Sequence, residues 1–268
     1  MCATALQQQA QLLTARELRG EQISKIVKQL RLACCAVASR SCSFMGVFSA
    51  DQIPSREKLC SFAGGTQRKR KKRKIGGATA AKDQQPCCYR ARSFIVNTDP
   101  STLPGHHWVA FVVFADRSSV IYFFDSFGMP LTNYQELYNS CLNYAYFSDA
   151  DIVTSVNTRS LQGATSTVCG HYCILFLYLC ARLSLETPSS SSSRTLTQYG
   201  DFALSATCAL VQVTGGDLAE ACERDAALVD VLNQLLKRNG QLPPALSCNR
   251  LGGTASAHRQ CCWHQSVA

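Results

Sequence analysis

His107, Asp125, Gln162 and Cys169 occur in that order along the chain, and their types suit thiol-dependent acyl transfer. Cys169 supplies a nucleophile, which is effective only as thiolate. An imidazole can take and return the proton, and a carboxylate on its other ring nitrogen fixes the tautomer and favours the imidazolium. A neutral side-chain amide can donate to a developing oxyanion without protonating it. Each residue alone is weak: a histidine before a strand or a cysteine in an apolar helix is more often structural. Order, spacing and local context together carry the reading.

The elements around these residues account for how they could meet. His107 immediately precedes the apolar run WVAFVVF, and Asp125 immediately follows VIYFF. Both runs are rich in β-branched and aromatic residues, and ADRSS between them supplies a polar turn. In an antiparallel hairpin, the start of one strand lies beside the end of the other. The pair therefore predicts an imidazole and a carboxylate at the same end of a sheet. Cys169 stands where the loop GATSTV enters the apolar stretch 169–182, predicted to be a buried helix. A thiol at a helix N-terminus meets the positive end of the macrodipole and unsatisfied N–H groups, both of which favour thiolate. Gln162 lies seven residues upstream, near enough for a loop to return it beside the cysteine. The backbone N–H of Cys169 is the expected second oxyanion donor. His106 is the neighbouring alternative to His107, which directly precedes the tryptophan and is preferred.

The rest of the chain sets limits. At 268 residues with 46% hydrophobic and 17% charged residues, it suits one domain with tails and has ample material for a core. Apolar residues recur at helical spacing over 17–36, an apolar stretch follows at 43–48, and FIVN (94–97) reads as a strand. NYQELYNSCLNYAYF reads as a helix, DIVTSVNT as a strand, and 218–238 as an amphipathic helix ended by Asn239-Gly240. The expected organisation is an N-terminal extension over 1–19 and one domain over 20–240. That domain carries a flexible basic insertion at about 63–90 and a Ser-rich loop at 187–194, and a disordered tail covers 241–268. No signal peptide is expected, and the longest strongly apolar run, 172–181, is far too short to span a bilayer. Sixteen cysteines in that setting predict a reducing, intracellular protein with most thiols free. No cysteine pair has zinc-knuckle spacing, and Cys169, His171 and Cys173 would not share a helix face. The tail residues Cys248, His258, Cys261, Cys262 and His264 read as a loose tail, so no metal is expected.

The pattern resembles the adenovirus-type cysteine endopeptidase family, adenain, with relatives in adenovirus-like viruses and Maverick/Polinton-type DNA transposons. The matching residues are His107-Trp108, Asp125 within FFDSFG, Gln162-Gly163 and Cys169-Gly170; upstream, EQISKIVKQL, FMGVF and FIVNTDPSTLPGHHW extend the likeness. It covers most of 20–182. The order His, acid, Gln, Cys separates it from papain-like enzymes. The resemblance implies an α+β fold, with a central mixed or antiparallel sheet packed against a buried helix that carries the catalytic cysteine. It also implies Cys169 as nucleophile, His107 as general base and acid, Asp125 as its orienter and Gln162 as oxyanion donor. Adenovirus enzymes usually carry Glu at the position of Asp125, whereas the related SUMO-deconjugating proteases carry Asp. In the adenovirus enzyme a viral peptide forms a disulfide with a cysteine upstream of the Gln. This chain has Asp151 near that place and its closest cysteine is Cys141, so a disulfide-linked activator is not expected.

The net charge of +9 is concentrated in Arg68, Lys69, Arg70, Lys71, Lys72, Arg73 and Lys74, without which it is +2. Flanking glycines and seven like charges predict an exposed loop, read as a nuclear-localisation signal or a nucleic-acid tether. No aromatic residue is interleaved, so phosphate contacts rather than base stacking are expected. The leading expectation is a monomeric viral or transposon endopeptidase that cuts capsid and core precursors in the host nucleus and virion. It would need no cofactor for its chemistry, and DNA would act as a non-covalent activator or tether. A ubiquitin- or SUMO-type isopeptidase and a non-catalytic DNA-binding virion protein remain as alternatives.

Overall fold

The computed structural model describes residues 13–14, 16–35, 42–53, 91–114, 121–146, 153–186, 196–215, 220–238 and 240–241. The basic run at 68–74, the Ser-rich loop and the tail beyond 241 lie outside the described residues.

Helix α1 spans Gly20–Cys35. Ile23, Ile26, Val27 and Leu30 fall on one face and are buried, while Glu21, Lys25 and Lys28 on the other are exposed. The Gln22 side chain accepts from the Arg19 N–H at 2.9 Å and so satisfies a donor where the helix begins. The stretch 43–48 forms strand β1, Cys42–Ser49. Strands β2 (Ala91–Asn97), β3 (Trp108–Phe114) and β4 (Ile121–Phe124) follow, then helix α2 (Gln135–Tyr146) and strand β5 (Val153–Ser155). Helices α3 (Cys169–Glu186), α4 (Leu196–Val213) and α5 (Ala221–Lys237) complete the described order.

The five strands make one mixed sheet in the order β1-β2-β3-β4-β5. β2 with β3 and β3 with β4 are antiparallel, while both edge pairs are parallel. Successive side chains in a strand point to opposite faces, and here both faces are covered. Ile95, Ala110, Val112, Tyr122 and Phe124 pack with α1, α3, α4 and α5. Phe94, Val96, Val109, Phe111, Ile121 and Phe123 pack with Leu137 and Cys141 of α2. A strand buried on both sides has no polar face to alternate, which is why WVAFVVF and VIYFF read as continuous apolar runs.

Helix α3 lies against the middle of the sheet, with Phe176 stacked on Phe124 at 4.4 Å between ring centroids. Residues 171–180 are all buried, so the helix is covered on every side. No helix among the described residues is long and apolar enough to cross a membrane. Cys141, Cys169, Cys173 and Cys222 carry free thiols, whereas Cys208 is disulfide-bonded.

Part of the segment expected to be an N-terminal extension packs on the domain. Leu18 is buried in the core shared by α1 and α3, and its carbonyl accepts the Trp108 indole N–H at 3.0 Å. Leu13 exchanges two hydrogen bonds with the Asn233 side-chain amide of α5, at 2.7 and 3.0 Å. Helix α4 has no counterpart among the sequence expectations. The strand expected over 151–158 shortens to three residues beside β4.

Candidate active site

The β3–β4 register, in which Ala110 faces Phe124 and Val113 faces Ile121, carries His107 and Asp125 to one end of the sheet. There His107 Nε2 lies 2.6 Å from Asp125 Oδ1, with both residues buried. A carboxylate accepts, so Nε2 carries the proton and Nδ1 is turned away from the acid. His106, the alternative, is exposed and pairs with Asp99 at 2.6 Å instead.

Asp125 is held on every side. Oδ1 also accepts the Phe127 N–H at 3.0 Å, while Oδ2 accepts the Met129 N–H at 3.1 Å and the Tyr134 hydroxyl at 2.9 Å. The backbone of Asp125 is bracketed by the Asn157 amide, whose Oδ1 accepts its N–H at 3.3 Å and whose Nδ2 donates to its carbonyl. The turn that delivers these donors closes with Gly128 N–H on the Asp125 carbonyl at 2.9 Å. Gly128 has φ +70°, and a Cβ there would lie 2.6 Å from the Arg159 backbone, so the turn admits only glycine.

Cys169 is the first residue of α3 and is buried. The N–H groups of a helix's first turn have no partner within the helix, which leaves that of Cys169 as a donor toward the site. Gly170 allows α1 to close on this point: a Cβ there would meet Ile23 Cδ1 at 3.0 Å and Leu18 Cβ at 3.5 Å. Burial alone would lower the His107 pKa. The hydrogen bond and charge of Asp125 and the Cys169 thiol outweigh it and raise the pKa to about 9. His107 is thus an imidazolium near neutral pH, positioned between a carboxylate and a thiol. Phe127, 4.9 Å away between ring centroids, and Tyr134, at 6.1 Å, line the imidazole.

Gln162 is buried in the loop before α3. Its Nε2 donates to the Ser166 carbonyl at 2.7 Å, and its Oε1 accepts the Ser126 hydroxyl at 2.7 Å. An amide has two N–H donors, so one remains for another acceptor. The Ser126 carbonyl also accepts the N–H groups of Leu161 and Gln162, at 2.8 and 3.2 Å. The residue after the acid therefore aligns the loop that carries the amide.

Other titratable neighbours are set apart from this chemistry. Cys173, one helical turn beyond Cys169, donates its thiol to the Trp108 carbonyl at 3.2 Å, and burial pushes its pKa well up. Burial lowers the His171 pKa to about 4, so it is a neutral core side chain near pH 7. Cys141 is buried under the sheet, and burial pushes its thiol up to about 12. Among the described residues no cluster of three or more His, Cys, Asp or Glu could hold a metal. Ser126, Tyr134, Asn157 and Ser166 escaped the sequence reading. Only Ser126, beside Asp125 within FFDSFG, carried a local signal.

Comparison with known proteins finds relatives of the segment that carries these residues. Residues 88–192 match the adenovirus endoprotease family model. The protease of snake adenovirus serotype 1 is 32% identical over 109 residues, which cover 38% of this chain and 53% of that one. The protease of bovine adenovirus 4 is 34% identical over 95 residues, covering 33% and 47%. The chain thus spans about half the length of the curated relatives it matches. Among solved structures, a de-sumoylating protease aligns over 85% of this chain and 84% of its own, at 12% identity and a TM-score of 0.45. The resemblance read from His107-Trp108, FFDSFG, Gln162-Gly163 and Cys169-Gly170 holds for the segment that carries all four residues.

Proposed function

We propose that the chain is a cysteine endopeptidase acting through Cys169, His107, Asp125 and Gln162. The observation that carries the reading is the buried His107–Asp125 pair, beside a thiol at the start of α3 and with an imidazole pKa of about 9. With the thiol proton held on His107 Nδ1, Cys169 and His107 react as a thiolate–imidazolium pair. The thiolate attacks the scissile carbonyl, and the carbonyl π electrons move to oxygen. The free N–H of Gln162 and the Cys169 N–H donate to that oxyanion. The tetrahedral centre collapses as the C–N bond breaks, and His107 gives its proton to the leaving amine. Water, deprotonated by the now neutral His107, attacks the thioester, and the Cys169 thiolate leaves as the carboxylic acid product forms. Asp125 holds the imidazole throughout and takes no proton.

The proposed substrates are capsid and core precursors of a virus or virus-like transposon, processed in the host nucleus and virion. The proposed role of the run at 68–74 is to hold DNA through its phosphates as a non-covalent activator, after the concentration of charge there. The test is cleavage of a mixed peptide library by the reduced full chain, with Cys169→Ala in parallel and duplex DNA present or absent. Cleavage lost in Cys169→Ala supports the endopeptidase, and stimulation by DNA supports the tether. Silence toward peptides combined with release from ubiquitin or SUMO coumarin conjugates would replace this reading with an isopeptidase.

A further inference from the structure

The helix that follows the family-matched segment reaches back to the loop bearing the proposed oxyanion donor. Asp225 of α5 is buried, and its two oxygens serve two different elements. Oδ1 lies 3.0 Å from the Tyr172 hydroxyl, in the first turn of the nucleophile helix. Oδ2 accepts the N–H of Gly163, the residue after Gln162, at 3.3 Å. The adjacent Arg224 donates through Nε to the carbonyl of Leu161, the residue before Gln162, at 3.0 Å. The Tyr172 hydroxyl also lies 3.0 Å from that carbonyl. Burial and the Asp225 charge push the Tyr172 pKa up, so its hydroxyl stays a donor. On the opposite side, the Leu161 and Gln162 N–H groups are fixed by the Ser126 carbonyl.

We infer that Asp225, with Arg224 and Tyr172, is a positioning residue that locks the Gln162 loop to the Cys169 helix and so sets the oxyanion donor. The lock consists of charge-assisted hydrogen bonds around a buried carboxylate, where low local dielectric strengthens its bonds to N–H and O–H donors. Asp225 and Arg224 lie beyond residue 192, outside the segment matched by the family model. The inference rests on the protease reading, because Gln162 matters only if an oxyanion forms.

The experiment compares Asp225→Asn with the wild-type full chain, on the best-cleaved library peptide. Loss of a true oxyanion donor costs roughly 100- to 1,000-fold in kcat, so a displaced donor is expected to cost about 10-fold or more. KM and the iodoacetamide alkylation rate of Cys169 should stay within about twofold, since alkylation forms no oxyanion. In a Gln162→Ala background the same substitution should have no further effect on kcat. Hydrogen–deuterium exchange of Gly163 should rise in Asp225→Asn. An unchanged kcat, an equal loss in both backgrounds or a parallel fall in alkylation would overturn the inference. Tyr172→Phe, which keeps the ring, should repeat the pattern more weakly and decides the matter if Asp225→Asn does not fold. If the wild-type chain cuts nothing, the protease reading fails separately. Gly163 exchange then still judges the lock, and unchanged exchange refutes it.

Discussion

Asp125→Asn tests the electrostatic argument at its centre. In the native site burial works to lower the His107 pKa, and Asp125 and Cys169 together carry it past the ordinary 6.5 to about 9. Asparagine removes the carboxylate charge while keeping the shape. Burial is then opposed by the thiol alone, and the imidazole should titrate near or below its ordinary value. At pH 8 a group of pKa 9 is about 90% protonated, whereas one near 6 is about 1% protonated, so the imidazolium falls by roughly 100-fold. In the proposed mechanism the imidazolium donates to the leaving amine and pairs with the thiolate. The alkaline limb of kcat/KM should therefore move from near pH 9 to below about pH 7. Asparagine also presents an N–H to one of the donors now served at Phe127, Met129 and Tyr134, an unsatisfied contact costing about 1–3 kcal/mol. Thermal melts must therefore accompany the pH profiles. The decisive assays are kcat/KM against pH and direct NMR titration of His107. A variant that stays folded and keeps an alkaline limb near pH 9 would refute the assignment of Asp125 as the source of the raised pKa.

Gln162→Ala should lower kcat by about 100-fold or more with KM little changed, while leaving the iodoacetamide rate of Cys169 near wild type. Gly170→Ala puts a methyl group 3.0 Å from Ile23 Cδ1, and the resulting overpacking should cost about 1–3 kcal/mol in urea unfolding. Because the folded pKa of His107 is raised, its pairing stabilises the fold fully below about pH 6.5 and is lost as pH rises through 9. Urea unfolding across that window should lose up to about 3 kcal/mol, a loss absent in Asp125→Asn. Deleting residues 68–74 should abolish retention on duplex DNA at low salt without changing peptide cleavage measured in its absence.

The sequence displayed the hairpin and the buried helix clearly, because both depend on patterns within one segment. Trp108–Phe114 and Ile121–Phe124 are apolar on both faces, and hairpin geometry alone brings His107 to Asp125. Helix α4 went unread because LTQYGDFALSATCALVQV is apolar on most sides and includes Gly200, Val211, Val213 and two threonines, all weak helix formers. Its helix is secured by packing against α3 and α5, which no local window contains. The strand expected over 151–158 was overlong for a similar reason: after Val156, whose N–H still bonds the Phe123 carbonyl, the chain turns and Asn157 grips Asp125. Asn157 and Tyr134 touch the acid across 32 and 9 residues respectively, and nothing in their own surroundings marks them.

The geometry gives the two nitrogens of His107 different fates. Asp125 accepts from His107, Phe127, Met129 and Tyr134, which fills its acceptor positions and fixes its plane. The Nε2 proton therefore has a full and immobile acceptor on its far side. Nδ1 is buried with no hydrogen-bond partner of its own in the resting arrangement, and the nearby thiol is the group that acts on it. A proton can move only on the Nδ1 side, between the imidazole and whatever occupies the thiol's place along the reaction: thiolate, leaving amine or water. In the proposed reaction the carboxylate provides orientation, the helix start and Gln162 provide for negative charge, and one ring nitrogen handles every proton. Tyr134→Phe separates these roles, because it frees one position on Asp125 without touching His107. A change confined to kcat in that variant would mean that the rigidity of the acid, and not its charge alone, directs the proton.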